Sequence, residues 1–145
     1  MSGMLEKMKR IVSHEAPPPP IAETLGFAMT LVEFGVAVFE MQTTPRHANP
    51  MGTLHGGVLC DLADAAMGTA YFTTLEDGDS FTTLELKINF LKPIWNAKLT
   101  ATGKVVKGGK TVGLVECDVV DEKGSLVAHA TSTCLTLRGD QAKGR

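Results

Sequence analysis

The chain has 145 residues, a mass of 15.4 kDa and a formal net charge of −2, with 43% hydrophobic and 21% charged residues. Length and composition fit one globular unit rather than a disordered segment. They exclude a basic excess for gripping a nucleic-acid backbone and any apolar run near the roughly 18–20 residues of a membrane span. The N-terminus does not read as a signal peptide. Cys60, Cys117 and Cys134 are far apart with no CxxC pair, and the four histidines contain no HxH or HExxH pair. Free thiols in a reducing cytoplasm are expected, with no metal and no other cofactor.

Met4, Leu5, Met8, Ile11 and Val12 recur at helical spacing, which predicts a short amphipathic helix at the N-terminus. Pro17 to Pro20 then imposes extended polyproline geometry and acts as a stiff spacer. Phe27 to Met41 is apolar and rich in β-branched residues, broken at Gly35, and reads as strand, turn and strand. Residues 42–54, with Pro45, Asn49, Pro50 and Gly52, form a loop. From Gly57 to Thr73, Leu59, Leu62, Ala63, Ala66, Met67 and Ala70 recur every three or four residues, marking a helix buried around much of its girth.

Past the turn at Glu76–Asp79, Leu84, Leu86, Ile88 and Phe90 alternate with polar residues, as in a half-buried strand that Pro93 ends. Three more strands follow, over 97–107, 111–120 and 125–137, separated by the turn signals Gly108-Gly109 and Asp121–Gly124. The tail from Gly139 is polar and expected to be disordered. The order β-β-α-β-β-β-β predicts an α+β fold with one helix lying on a single antiparallel sheet. The expected organisation is an N-terminal helix and spacer over 1–23, a domain over 24–138, and a tail over 139–145. Such a sheet leaves a face or an edge uncovered, for which self-association is the economical solution.

The stretch that carries chemistry runs from Asn49 to Asp64. A polar loop ends in His55-Gly56-Gly57 and the buried helix begins at once. Two glycines at a helix entrance leave backbone N–H groups bare at the positive end of the helix dipole, where a polarised carbonyl or oxyanion would be stabilised. The same pair could serve only as a turn. Asp64 interrupts an apolar helix among small neighbours, while Asp61, nearer the helix start, suits solvent. Residue chemistry alone leaves a functional and a structural Asp64 equally open. Asp64 lies eight residues beyond Gly56, about 12 Å along the axis. A base and an oxyanion donor must both reach one carbonyl, so the spacing favours a site shared by two antiparallel copies of the helix.

The pattern Asn49-Pro-x-Gly-x-x-His55-Gly56-Gly57 followed by Leu62-Ala63-Asp64 resembles the hotdog-fold acyl-CoA thioesterases of the phenylacetate-pathway (PaaI) type, over about residues 24–137. The resemblance implies a long helix wrapped by a curved antiparallel sheet. It implies hydrolysis of an acyl-CoA thioester to free acid and CoA, in a dimer that forms the site and commonly pairs into a tetramer. In such enzymes the helix N-terminal amide, here Gly56, polarises the thioester carbonyl. The partner's Asp, here Asp64, activates water or attacks directly. Asn49 and His55 fall near the thioester and leaving sulfur, and a Ser or Thr early in the following strand positions water. Thr83 fits that place, with Thr82 as competitor. The alternation favours Thr83, since it sets Thr83 on the face opposite Leu84 and Leu86.

For substrate and CoA contacts the candidates are Gly57, Arg46 and the Lys107-Gly108-Gly109-Lys110 hairpin, whose cations and amides could meet phosphates or simply form a solvated turn. Two alternatives stand beside the enzyme. One is a non-catalytic acyl-CoA-binding regulatory module on the same fold. The other is a hydroxyacyl dehydratase, against which the Asp64 position argues.

Overall fold

Six strands form one antiparallel sheet in the order β1-β2-β4-β5-β6-β3 in a computed structural model that describes residues 3–145. The strands are β1 (Phe27–Glu33), β2 (Val36–Gln42), β3 (Ser80–Phe90), β4 (Lys98–Gly108), β5 (Val112–Val120) and β6 (Leu126–Leu137). The helices are α1 (Gly3–Val12), α2 (Pro20–Leu25) and α3 (Gly56–Phe72). The one long helix, the strands and their order agree with the reading of the sequence. Among the described residues no helix is long and apolar enough to cross a membrane.

α3 lies on one face of the sheet and buries Leu59, Leu62, Ala63, Ala66, Met67, Ala70 and Tyr71. The approach is close because both sides are small. A Cβ on Gly103 of β4 would stand 2.3 Å from the Ala66 carbonyl oxygen. At the far end, a Cβ on Gly113 would meet the Tyr71 ring at 2.3 Å, and the Tyr71 hydroxyl pairs with Thr136 Oγ1 at 2.6 Å. The buried Thr73 hydroxyl donates to Ala70 O and accepts the Gly35 N–H, which ties the β1–β2 turn to the end of α3.

α1 docks on β1 and buries Met4 and Leu5, as its apolar stripe foretold. The polyproline run hides an element that the sequence reading lacked. Pro20 is the first residue of α2, a position where its missing N–H costs nothing. α2 closes on Gly26 at φ 83°. The polar tail makes a short 3-10 turn over Gly139–Ala142 with no buried residue.

β3 departs from simple alternation. Thr83 pairs with Cys134 and Glu85 with Thr133, so Leu84 is an inserted residue, a bulge, and is 55% exposed. Phe81 and Thr83 before the bulge, and Leu86, Ile88 and Phe90 after it, therefore stand opposite the inward residues of β6. Thr83 shares its face with Leu86 rather than opposing it. β3 is also an edge strand, and none of its residues is fully buried.

Candidate active site

The loop before α3 is cross-tied so that it presents the helix start. Ala48 and Leu54 form a bridge, His55 N–H donates to His47 O, and Leu54 N–H donates to Ile94 O. His47 in turn joins the loop to the end of α2, with Nε2 2.7 Å from Leu25 O. Asn49 organises the tight turn inside the loop. Its Oδ1 accepts the Met51 and Thr53 N–H groups, and its Nδ2 donates to Thr53 Oγ1 at 2.7 Å.

His55 caps α3, its Nδ1 accepting the Gly57 N–H at 2.9 Å. A neutral imidazole that accepts at Nδ1 carries its proton on Nε2. The cap also decides between the two glycines. The Gly57 amide, a candidate for substrate contact, is already bonded, whereas the Gly56 N–H has no protein acceptor among the described residues. Gly56, Asn49, Phe90 and Lys92 line one cleft of about 470 Å³. Phe90 covers Gly56 closely, a contact that the sequence did not announce.

Asp64 lies in a different cleft, of about 250 Å³, with Thr83, Phe81, Phe72 and Met8. The carboxylate still meets solvent at the mouth, as does Asp61 one turn earlier. Desolvation is the first cause raising the Asp64 pKa, the Asp61 charge is the second, and a hydrogen bond from Thr83 pulls it back down. A carboxyl so tuned binds its proton less weakly than a free one, as suits a proton-transferring group. Thr82 pairs with Leu135 in the ladder and does not line this cleft. Met8 reaches the cleft from α1, a helix that the sequence predicts as amphipathic without giving it a part in the site.

Among the described residues, the two clefts have no lining residue in common. The chain brings Asp64 to Thr83, and Asn49 to Gly56, but it does not bring the pairs together. Other candidates lie elsewhere. Arg46 is exposed beside α2. Lys107 and Gly109 line a cavity of about 620 Å³ at the C-terminal end of α3, with the Gly109 N–H bonded to Val112 O. Lys110 is exposed in the turn. Trp95 is exposed as well, while Phe72 packs against Phe81 with ring centroids 6.3 Å apart.

Residues 51–128, which include the helix start, Asp64 and Thr83, match the thioesterase superfamily model. The chain is 30% identical to the 1,4-dihydroxy-2-naphthoyl-CoA hydrolase of Listeria monocytogenes, over 78% of this chain and 92% of that protein. It is 31% identical to the acyl-coenzyme A thioesterase PaaI of Escherichia coli, over 74% and 75%. The solved structure of E. coli PaaI superposes with a TM-score of 0.83 at 26% identity, covering 94% of this chain and 98% of that one. With the helix-on-sheet architecture, these likenesses assign the chain to the thioesterase superfamily, as a hotdog-fold thioester hydrolase of PaaI type.

Proposed function

We propose that the protein hydrolyses acyl-CoA thioesters at a site built from two protomers. One supplies the Gly56 amide, with Asn49 and His55 beside it, and the other supplies Asp64 and Thr83. The observation that carries this reading is the separation of the two half-sites into clefts without a shared residue. The edge strand β3 supports it, since its outer backbone edge is open and Leu84, Phe90 and the following Leu91 are each 55% exposed. Pairing β3 with its copy would cover that open edge and run two α3 helices antiparallel.

In this arrangement the Gly56 N–H, at the positive end of α3, stabilises the oxygen of the tetrahedral intermediate. The Asp64 carboxylate removes a proton from water or attacks the carbonyl carbon itself, and Thr83 holds the water. CoA leaves as its thiolate. The reading places the protein in the cytoplasm, on the strength of its free thiols, and favours a tetramer of paired dimers.

Complementation tests the shared site. Asp64→Ala and Asn49→Ala are each expected to release little thiol from acyl-CoA alone. Refolded together in equal amounts, random pairing leaves one intact site in half of the dimers, so about a quarter of the wild-type activity returns. A mixture no more active than its components rejects the composite site. Acyl-CoA binding without thiol release by the wild type favours the regulatory module instead.

A further inference from the structure

The Asp64 cleft has an apolar neighbour near α1. It shares Met8 and Thr69 with a second cavity, of about 330 Å³, that runs beneath the N-terminal segment. Ile11 of α1, Pro18 of the polyproline run and Ala22 of α2 form its roof, and Met29 of β1 and Phe39 of β2 form its floor. Among the described residues, Thr69 gives the single polar side chain in its wall.

The roof is firmly held. Met4 and Leu5 anchor α1 in the core, and the Gly3 N–H donates to Asp77 Oδ1 at 3.0 Å. Proline fixes the backbone of the strap that follows. Thr69 lies five residues beyond Asp64, about 7.5 Å farther along α3. A group reacting at Asp64 therefore stands beside an apolar chamber, with Met8 and Thr69 in the wall between the two cavities.

We propose that this chamber receives the acyl tail, which makes the enzyme selective for thioesters of flexible aliphatic chains over short acyl groups. The inference rests on Asp64 as the reacting group. Met8 and Thr69 line both cavities, and the Met8 side chain turns aside to open a neck between them. A chain that bends at the neck fills both, whereas a rigid ring is held in the first. Methionine at the neck adapts its shape to the chain that passes it. The N-terminal helix and its proline strap are thus a chain-length gauge rather than a decoration of the domain.

The test is kcat/KM across butanoyl-, hexanoyl-, octanoyl- and decanoyl-CoA, with phenylacetyl-CoA for comparison, in wild type, Ala22→Leu, Ile11→Trp and Arg10→Ala. In wild type each methylene that enters the chamber raises kcat/KM about fourfold. Ala22→Leu and Ile11→Trp fill the chamber from different helices, so one remains readable if the other fails to fold. Both are expected to flatten the rise, lowering the ratio of decanoyl- to butanoyl-CoA at least tenfold, of the order of two methylenes. Arg10→Ala, on the exposed face of α1, keeps the wild-type ratio. A flat wild-type series, a preference for phenylacetyl-CoA, or filled variants that keep the wild-type ratio would each overturn the proposal. Failure of the Asp64 assignment shows separately, as Asp64→Ala releasing thiol at the wild-type rate.

Discussion

The Phe90 ring lies over Gly56, its Cζ only 2.9 Å from the point where a Cβ on that glycine would stand. The close neighbour is the far end of a side chain that is 55% exposed, so it can yield. Gly56→Ala should therefore fold, but with the ring displaced and the amide partly covered. A misplacement of about 1 Å in an oriented site costs on the order of 100-fold in turnover. The expected result is such a loss in kcat with little change in melting temperature, and partial recovery in Gly56→Ala combined with Phe90→Leu. Thiol-release kinetics with a parallel thermal melt read both.

Asp64→Asn should lower kcat about 10²–10⁴-fold, the range for removing a general base. Its effect on stability has the opposite sign. The folded pKa of Asp64 is raised, so the charged form opposes folding once the pH exceeds that pKa. Below the unfolded value both states are protonated and the opposition vanishes. Melts of the two proteins should nearly coincide around pH 3, with Asp64→Asn the higher at pH 7.5. The acid limb of the wild-type kcat/KM profile should accordingly lie above that of an unperturbed aspartate. Coincident melts at both pH values would contradict the raised pKa.

Asp121 behaves in the reverse sense. Its carboxylate accepts from Lys92 Nζ at 2.5 Å and from the Lys123 and Ser125 N–H groups at 3.0 Å each. The Lys92 bond is the first cause holding its pKa below the usual value. That stabilisation is present above the unfolded carboxylate pKa and is lost as the pH falls through the lower, folded one. Lys92→Met should reduce the melting temperature at pH 7, with the gap closing in strong acid. A gap that does not depend on pH would point to packing instead.

Gly103→Ala tests the contact that sets α3 on the sheet. The added Cβ would stand 2.3 Å from the Ala66 carbonyl oxygen and 2.4 Å from its carbon, and backbone cannot swing aside as a ring can. Overpacking of this kind costs about 1–3 kcal/mol or more, which for a chain of this size lowers the melting temperature by roughly 2–4 °C per kcal/mol. Differential scanning calorimetry gives the number. An unchanged melting temperature would mean that helix and sheet separate freely.

The elements were legible where residue chemistry is local. Gly35, Gly108-Gly109 and Asp121–Gly124 mark turns because turns require such residues, and the strands between them follow. The stripe of Leu59, Leu62, Ala66 and Ala70 is a helix wherever it occurs. α2 escaped because a run of prolines reads as a break, although the last proline of a run is also a good first residue for a helix. Within the site, Asn49 with Gly56 and Asp64 with Thr83 could be grouped from spacing and resemblance. The bond that His55 makes to the Gly57 amide could not, because it depends on one rotamer. Nor could the separation of Lys107 and Gly109 from both clefts, since a hairpin carries no local sign of which end of the helix it will face.

The inserted residue at Leu84 lets one strand keep two frames of reference. Upstream of it, the parity of the chain points Phe81 and Thr83 at the Asp64 cleft; downstream, the opposite parity aims Leu86, Ile88 and Phe90 toward that same side. A deletion of this single residue would leave composition, hydropathy and strand length almost untouched. Yet it would force a choice between keeping the hydroxyl beside the carboxylate and keeping the apolar row beneath it. Homologous chains of different length are therefore best aligned on this insertion, since any gap placed across it exchanges inside for outside along half a strand.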